Sequence, residues 1–354
     1  MPIIFDNIIN WGKSHLKKIS SIPEVAIPDI TLPKGISRLL LLLLSLATIV
    51  SLYLILQPHQ HHPDGLSLQR FLCEIEQSWY SNGIALLPYM PITDCQHSGP
   101  QLPVTIFNST LVTLLLFAVI DGKTKPIYLV LQFFSITFLL YSVYLPSKEI
   151  LLSLLFTVGF KTNNIKLRFL TFFIVSLVRP AYFIVLFYPW FNTKRRLIAL
   201  LVAITATIFI IQSGLLGDIA MELYNSKGSE YEGVALPLFE FFKYIAYPLR
   251  VVWNFIGVFG AFWSLYNEFH WNVFFNAITQ IAVFAVLVQL IANLSSKKYK
   301  LNNYTSIIIL YAFASATWPL PHTRYLYPVI PAALWYFYTL KSISYARQLE
   351  NIQI

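Results

Sequence analysis

The sequence predicts an all-α fold, a polytopic transmembrane helical bundle of about ten to twelve crossings, some of them short or re-entrant. Three observations predict it. The 354-residue chain is 56% hydrophobic, 12% charged and has a mean hydropathy of +0.62, where a soluble domain carries about 25% charged residues. Several apolar runs approach or exceed the roughly 17–20 residues that span a bilayer. The basic residues behind the +9 net charge cluster in short loops between those runs. That is the pattern of topology determinants and lipid-surface contacts, so the bilayer is an expected partner and nucleic acid is not.

Residues 1–35 form a basic N-terminal segment. Ile4, Ile8, Trp11, Leu16 and Ile19 fall roughly on one helical face, with Lys13, His15, Lys17 and Lys18 elsewhere. Both an amphipathic helix on the cytoplasmic membrane surface and a disordered basic tail fit this pattern. Pro23, Pro28 and Pro33 make an extended connector. No cleavable signal peptide is evident, because the first strong apolar run begins near Ile36. Ile36–Gln57 is the first span. Lys13, Lys17, Lys18 and Lys34 before it, with Arg38 in its first turn, place the N-terminus inside.

An external loop follows at 58–101, with Arg70 set against Asp64, Glu74, Glu76 and Asp94. Its middle, Leu66–Tyr80, has the pattern of a surface helix. Cys73 and Cys95, the only cysteines, both lie here and are expected to form a disulfide in an oxidising compartment. His59, His61, His62 and Asp64 could hold a metal, but a solvated turn is the simpler reading, so neither metal nor cofactor is expected.

The next spans are Leu102–Ile120 and Pro126–Leu145, joined by a basic inside turn. Pro146-Ser-Lys-Glu149 lies outside, Ile150–Phe160 is a short run, and Lys161–Arg168 returns the chain inside. Phe169–Phe191 as one span would put Asn192-Thr-Lys-Arg-Arg196 outside, against the positive-inside bias. Arg179-Pro180 interrupts its centre. Two half-length helices meeting at Arg179 keep both basic loops inside and spare an arginine from facing lipid.

Leu197–Gln212 leads to a second external loop at 213–234, holding Asp218, Glu222, Glu230 and Glu232. Residues 235–266 either cross twice, turning near Arg250, or form a re-entrant or interfacial pair. In both cases Asn267–Trp271 is external. Asn272–Ala292, Thr305–Trp318 and Tyr325–Thr339 complete a single transmembrane domain, 36–341, before a cytoplasmic tail at 342–354.

This topology gathers the unusual polar residues on one face. Lys148 and Glu149, Arg179, Glu268 and His270, and His322 and Arg324 all lie at external helix ends, with Asp64 in the first loop. The Trp318–Tyr338 stretch carries four prolines around His322 and Arg324. Broken helix of this kind is tolerable at membrane depth only beside protein or a wet cavity. Two arginines beside prolines suit a phosphate or diphosphate. A carboxylate or histidine nearby can deprotonate an attacking hydroxyl, and arginines stabilise charge on a leaving group. His322, Glu149 and Asp64 are therefore candidate catalytic residues. Arg179, Arg324, Lys148, His270 and Glu268 are candidate substrate-binding residues. The structural alternatives are that Arg179 only pairs with Glu149 to lock a hairpin, and that Glu149 only serves a helix N-terminus.

Pro146-Ser-Lys-Glu-Ile-Leu-Leu, then a short helix, then Leu177-Val-Arg-Pro180, resembles a pattern in bacterial O-antigen and exopolysaccharide repeat-unit polymerases. It is also similar to the acidic-residue helix and basic hairpin of the C-type membrane glycosyltransferases. Arg324-Tyr-Leu-Tyr-Pro-Val-Ile-Pro resembles a segment common near the end of such enzymes. The resemblance implies a metal-independent inner-membrane enzyme acting at the periplasmic face on polyprenyl-diphosphate-linked glycans. Arg179 and Arg324 would grip the diphosphate while His322 or an acid assists the acceptor hydroxyl. A chain-length regulator is among the partners it implies. The sequence departs from the C-type pattern in lacking a clear acidic pair in the first external loop, where only Asp64-Gly65 stands. That departure favours a polymerase over the runner-up, a transferase adding one sugar from a polyprenyl-phosphate donor. A lipid-linked sugar transporter or flippase is the reading of another class; it expects charges along a whole pathway rather than on one face.

Overall fold

The computed structural model describes residues 31–56, 68–69, 72–73, 87–96, 99–191, 198, 200–202, 205, 258–267, 269–295, 302–316 and 323–339. Among these the fold is helical, with no strand and one isolated antiparallel bridge between Leu32 and Thr124. The helices are α1 (Lys34–Ile55), α2 (Leu102–Val119), α3 (Pro126–Tyr141), α4 (Lys148–Lys161) and α5 (Ile165–Val178). A 3-10 segment, Pro180–Phe187, runs into the single turn α6 (Tyr188–Phe191). Then come α7 (Val258–Asn267), α8 (Trp271–Ser295), α9 (Asn303–Ala316), a further 3-10 segment (Thr323–Val329) and α10 at 330–339; a short 3-10 turn also lies at Leu87–Tyr89.

Three helices are long and apolar enough to cross a membrane, at Lys34–Ile55, Leu102–Val119 and Trp271–Leu294. Pro126–Tyr141 and Tyr182–Phe191 are apolar but shorter. Helices α4 and α5 have 14 residues each, about 21 Å of rise, against a hydrocarbon core of about 30 Å. The outer face of α1 supports immersion in lipid: Leu39, Leu43, Leu46, Val50 and Leu54 recur at helical spacing and are all at least half exposed. An uninterrupted apolar stripe of that length is foreign to a water-facing surface.

Observed boundaries follow local chemistry. Pro126 begins α3, where a missing N–H is harmless, and Asn164 caps α5 by accepting from the amides of Lys166 and Leu167 at 2.9 and 3.3 Å. The expected Pro126–Leu145 span is shorter, because α3 stops at Tyr141 and residues 142–146 turn. The first helix starts at Lys34, two residues inside the expected N-terminal segment. The expected Phe169–Phe191 unit is two elements that meet at Arg179. Pro180 supplies no amide to α5, and Arg179 has an extended backbone there.

Helices α1, α2 and α3 pack together and join the α4–α5 hairpin, while α8 packs along α3 and α9 packs against Pro180–Phe187. The contacts are largely aromatic. Phe156 meets Tyr311 edge-on at 4.5 Å between centroids, Tyr182 stacks on Tyr311 at 4.5 Å, and Tyr141 stacks on Phe275 at 5.3 Å. In lipid, such packing and interhelical hydrogen bonds hold helices together, since apolar burial alone gives little advantage.

One end of the bundle is tied by basic side chains on helix C-terminal carbonyls. Arg38 donates to Ile120 O at 2.8 Å and Phe117 O at 2.6 Å, at the end of α2. Lys161 donates to Ala118 O and to Asp121, both at 2.6 Å, and Trp335 Nε1 also donates to Asp121, at 2.9 Å. Arg168 closes α4 through Gly159 O and Thr162 O at 3.1 and 2.5 Å. Cations there satisfy orphan carbonyls and oppose the negative end of the dipole. The basic residues read above as topology determinants thus also lock the C-terminal ends of two helices, α2 and α4.

Candidate functional site

The opposite end of the bundle carries the acidic counterpart. It is assembled around the turn at 142–147, which passes from α3 to α4. Asn108, fully buried within α2, donates through Nδ2 to Val143 O at 3.0 Å and Leu145 O at 2.8 Å. Tyr89, also fully buried, places its hydroxyl 2.6 Å from Asn108 Oδ1 and 3.0 Å from Ser147 O. Burial holds the Tyr89 hydroxyl well above the usual tyrosine range, with the Ser147 hydrogen bond opposing and the Glu149 charge adding to it. Tyr89 is therefore a hydrogen donor at any physiological pH.

Tyr89 comes from the loop that contains the Cys73–Cys95 disulfide, whose Cα atoms are 5.3 Å apart. The same loop is tightened by Asp94 and Gln101, which exchange hydrogen bonds of 2.7 and 2.5 Å. Gly99 N donates to Gln69 Oε1 at 3.0 Å. The loop is thus stapled internally, and through Tyr89 it fixes the turn that delivers α4.

Ser147 is the N-cap of α4, and Glu149 sits in its first turn with its residue 6% exposed. Arg179, at the break after α5, reaches it: Nη2 lies 2.5 Å from Glu149 Oε1. Nη1 donates to the Tyr182 hydroxyl at 3.1 Å. The 3-10 geometry explains this last contact, since residues i and i+3 eclipse. Tyr182 in turn stacks on Tyr311 of α9. The α4 N-terminus, the α5 break and α9 therefore converge on one charged pair set in an apolar surround. The guanidinium offers a planar donor fork, and the carboxylate offers an acceptor and a proton sink.

The other candidates are placed as follows. Lys148 is the first residue of α4 and is half-buried. His270 is exposed just before α8, where its carbonyl accepts from Phe274 N at 2.9 Å. Phe275, one turn on, stacks on Tyr141 beside the 142–147 turn, so His270 belongs to this end of the bundle. Arg324 is in the 3-10 segment Thr323–Val329, whose backbone packs against α4, α8 and α9. Asp64, Glu268 and His322 lie outside the described residues. Among the described residues no group of three or more His, Cys, Asp or Glu could hold a metal.

Sequence reading missed Tyr89, Asn108, Tyr182 and Tyr311. Two of them left a signal. Asn108 is an amide inside an otherwise apolar span, where polar side chains bond across helices, and Tyr182 stands three residues after the Arg-Pro break. No protein-family model, curated protein or solved structure matches the chain.

Proposed function

We propose that the chain is a bacterial inner-membrane enzyme that joins polyprenyl-diphosphate-linked oligosaccharide repeat units at the periplasmic face. In this reading it crosses the membrane about ten to twelve times, with short and re-entrant elements and both termini cytoplasmic. The Arg38–Asp121–Arg168 end faces the cytoplasm and the Glu149–Arg179 end faces out. The observation that carries the reading is the Arg179–Glu149 pair at 2.5 Å, sited where a helix is broken in an apolar bundle. A charge pair in lipid surroundings is costly and marks a functional position by default.

The reaction requires two groups of opposite character. An acceptor hydroxyl attacks the anomeric carbon of the donor glycan. The new C–O bond forms as the bond to phosphate breaks, and the polyprenyl diphosphate departs with its electron pair. Arg179, with Arg324, stabilises the charge developing on that leaving group. Glu149 or His322 takes the acceptor proton.

The test is in cells that make the lipid-linked repeat unit. Arg179→Ala and Arg324→Ala, at matched membrane levels, are each expected to abolish polymer and leave single repeat units on the lipid. Polymer of normal length in both variants overturns the proposal. Loss of one sugar from each unit, with chain length intact, points instead to the single-sugar transferase.

A further inference from the structure

We infer that the first turn of α4 is an anion seat, filled by Glu149's own carboxylate and taken over by a diphosphate. The inference rests on the reading above and adds how that site is held ready. Three observations converge on it. The N-terminus of α4 heads a 14-residue helix, and its dipole favours negative charge. Ser147, the N-cap, is 4% exposed, and its hydroxyl has no hydrogen-bond partner. An N-cap serine ordinarily spends that oxygen on an amide of its own helix, so here it is left to serve something else at the helix start. Finally, Arg179 directs a guanidinium at the same turn.

Carboxylate and phosphate present similar paired oxygens to a guanidinium fork. Glu149 therefore occupies the position that a phosphate oxygen would take. The two side chains are not equally enclosed: Arg179 is 18% exposed and Glu149 8%. An arriving anion meets the guanidinium first, from its more open side. Once the guanidinium engages phosphate, its pairing with Glu149 weakens and the carboxylate gains a like-charged neighbour, and both changes make it a better base. The exchange thus couples diphosphate capture to arming of the carboxylate.

The test is isothermal titration of the full-length protein with inorganic pyrophosphate in detergent micelles, and with undecaprenyl diphosphate in nanodiscs. Glu149→Gln is expected to bind pyrophosphate at least tenfold more tightly than wild type, because the internal competitor is gone. Ser147→Ala is expected to weaken wild-type binding several-fold without lowering the melting temperature, since that hydroxyl has no partner to lose. Arg179→Ala is expected to abolish binding. Equal or weaker binding by Glu149→Gln overturns the seat. If that variant cannot be purified folded, Ser147→Ala decides, and unchanged affinity there overturns it. Tighter binding of the lipid form assigns the seat to a lipid headgroup, and equal affinities assign it to the free anion. A wild-type protein that forms no polymer, while Glu149→Gln still tightens pyrophosphate, removes the polymerase reading and keeps the seat.

Discussion

Removing Arg179 should cost more than a surface ion pair is worth, and the structure sets the scale. The pair is largely enclosed, with side-chain exposures of 18% for Arg179 and 8% for Glu149. Deleting one partner of a buried pair costs about 3–5 kcal/mol, because the remaining charge stays desolvated. Arg179→Ala also removes the donor to Tyr182, worth about 1 kcal/mol. Against this, the α4 dipole still favours the stranded carboxylate by about 0.3–1 kcal/mol, and the partial exposure of Arg179 lowers the loss. The expected destabilisation is about 3 kcal/mol. The control is Arg179→Met with Glu149→Leu, which removes both charges and keeps the volume; it should lie within about 1 kcal/mol of wild type or above it. Equilibrium unfolding in mixed micelles, titrated with a denaturing detergent, measures all three proteins. Arg179→Ala within about 1 kcal/mol of wild type, or a double variant as unstable as the single one, refutes the enclosed-pair account.

Other expectations can be checked by thermal unfolding of the purified protein. Asn108→Ala strips donors from Val143 O and Leu145 O and should cost about 2–4 kcal/mol, whereas Tyr89→Phe should cost about 1 kcal/mol. Cys95→Ser opens a cross-link between residues 22 apart and should cost about 3 kcal/mol, matched by reductant on the wild type. At Gly159 an added Cβ would lie 2.8 Å from the Phe172 ring, so Gly159→Ala should cost about 1–3 kcal/mol through overpacking. A neutral result at Gly159 would mean that the α4–α5 crossing has room to spread.

Charge and proline made the skeleton readable in the sequence. Pro180 announces a helix break because it has no amide, and the basic loops on either side forbid reading Phe169–Phe191 as one span. Two cysteines in one loop leave a single intramolecular pairing, and the structure contains that disulfide. The structural alternative for Arg179, pairing with Glu149 at the hairpin, named the contact that the structure contains. The supporting shell was far less legible. Asn108, Tyr89 and Tyr182 are uncharged, and their roles depend on which groups the folded chain brings within hydrogen-bonding distance. Sequence spacing does not carry that information across separations of 19 or 58 residues. The end of α3 was missed for a related reason: Tyr141–Leu145 is mostly apolar, and its turn is held from outside by Asn108 rather than by turn residues of its own. Likewise, the loop cations looked like markers of orientation, while Arg38, Lys161 and Arg168 also satisfy backbone carbonyls at helix ends.

The central claim is that the Arg179–Glu149 end of this bundle joins polyprenyl-diphosphate-linked glycans. It is tested most directly by reconstitution in nanodiscs with one defined polyprenyl-diphosphate oligosaccharide, with products read by mass spectrometry. The wild-type protein should yield the doubled and tripled oligosaccharide on lipid, releasing one polyprenyl diphosphate per bond formed, and Arg179→Lys should yield far less. Substrate left intact by wild-type protein of demonstrated fold, or turned over equally well by Arg179→Lys, would contradict it.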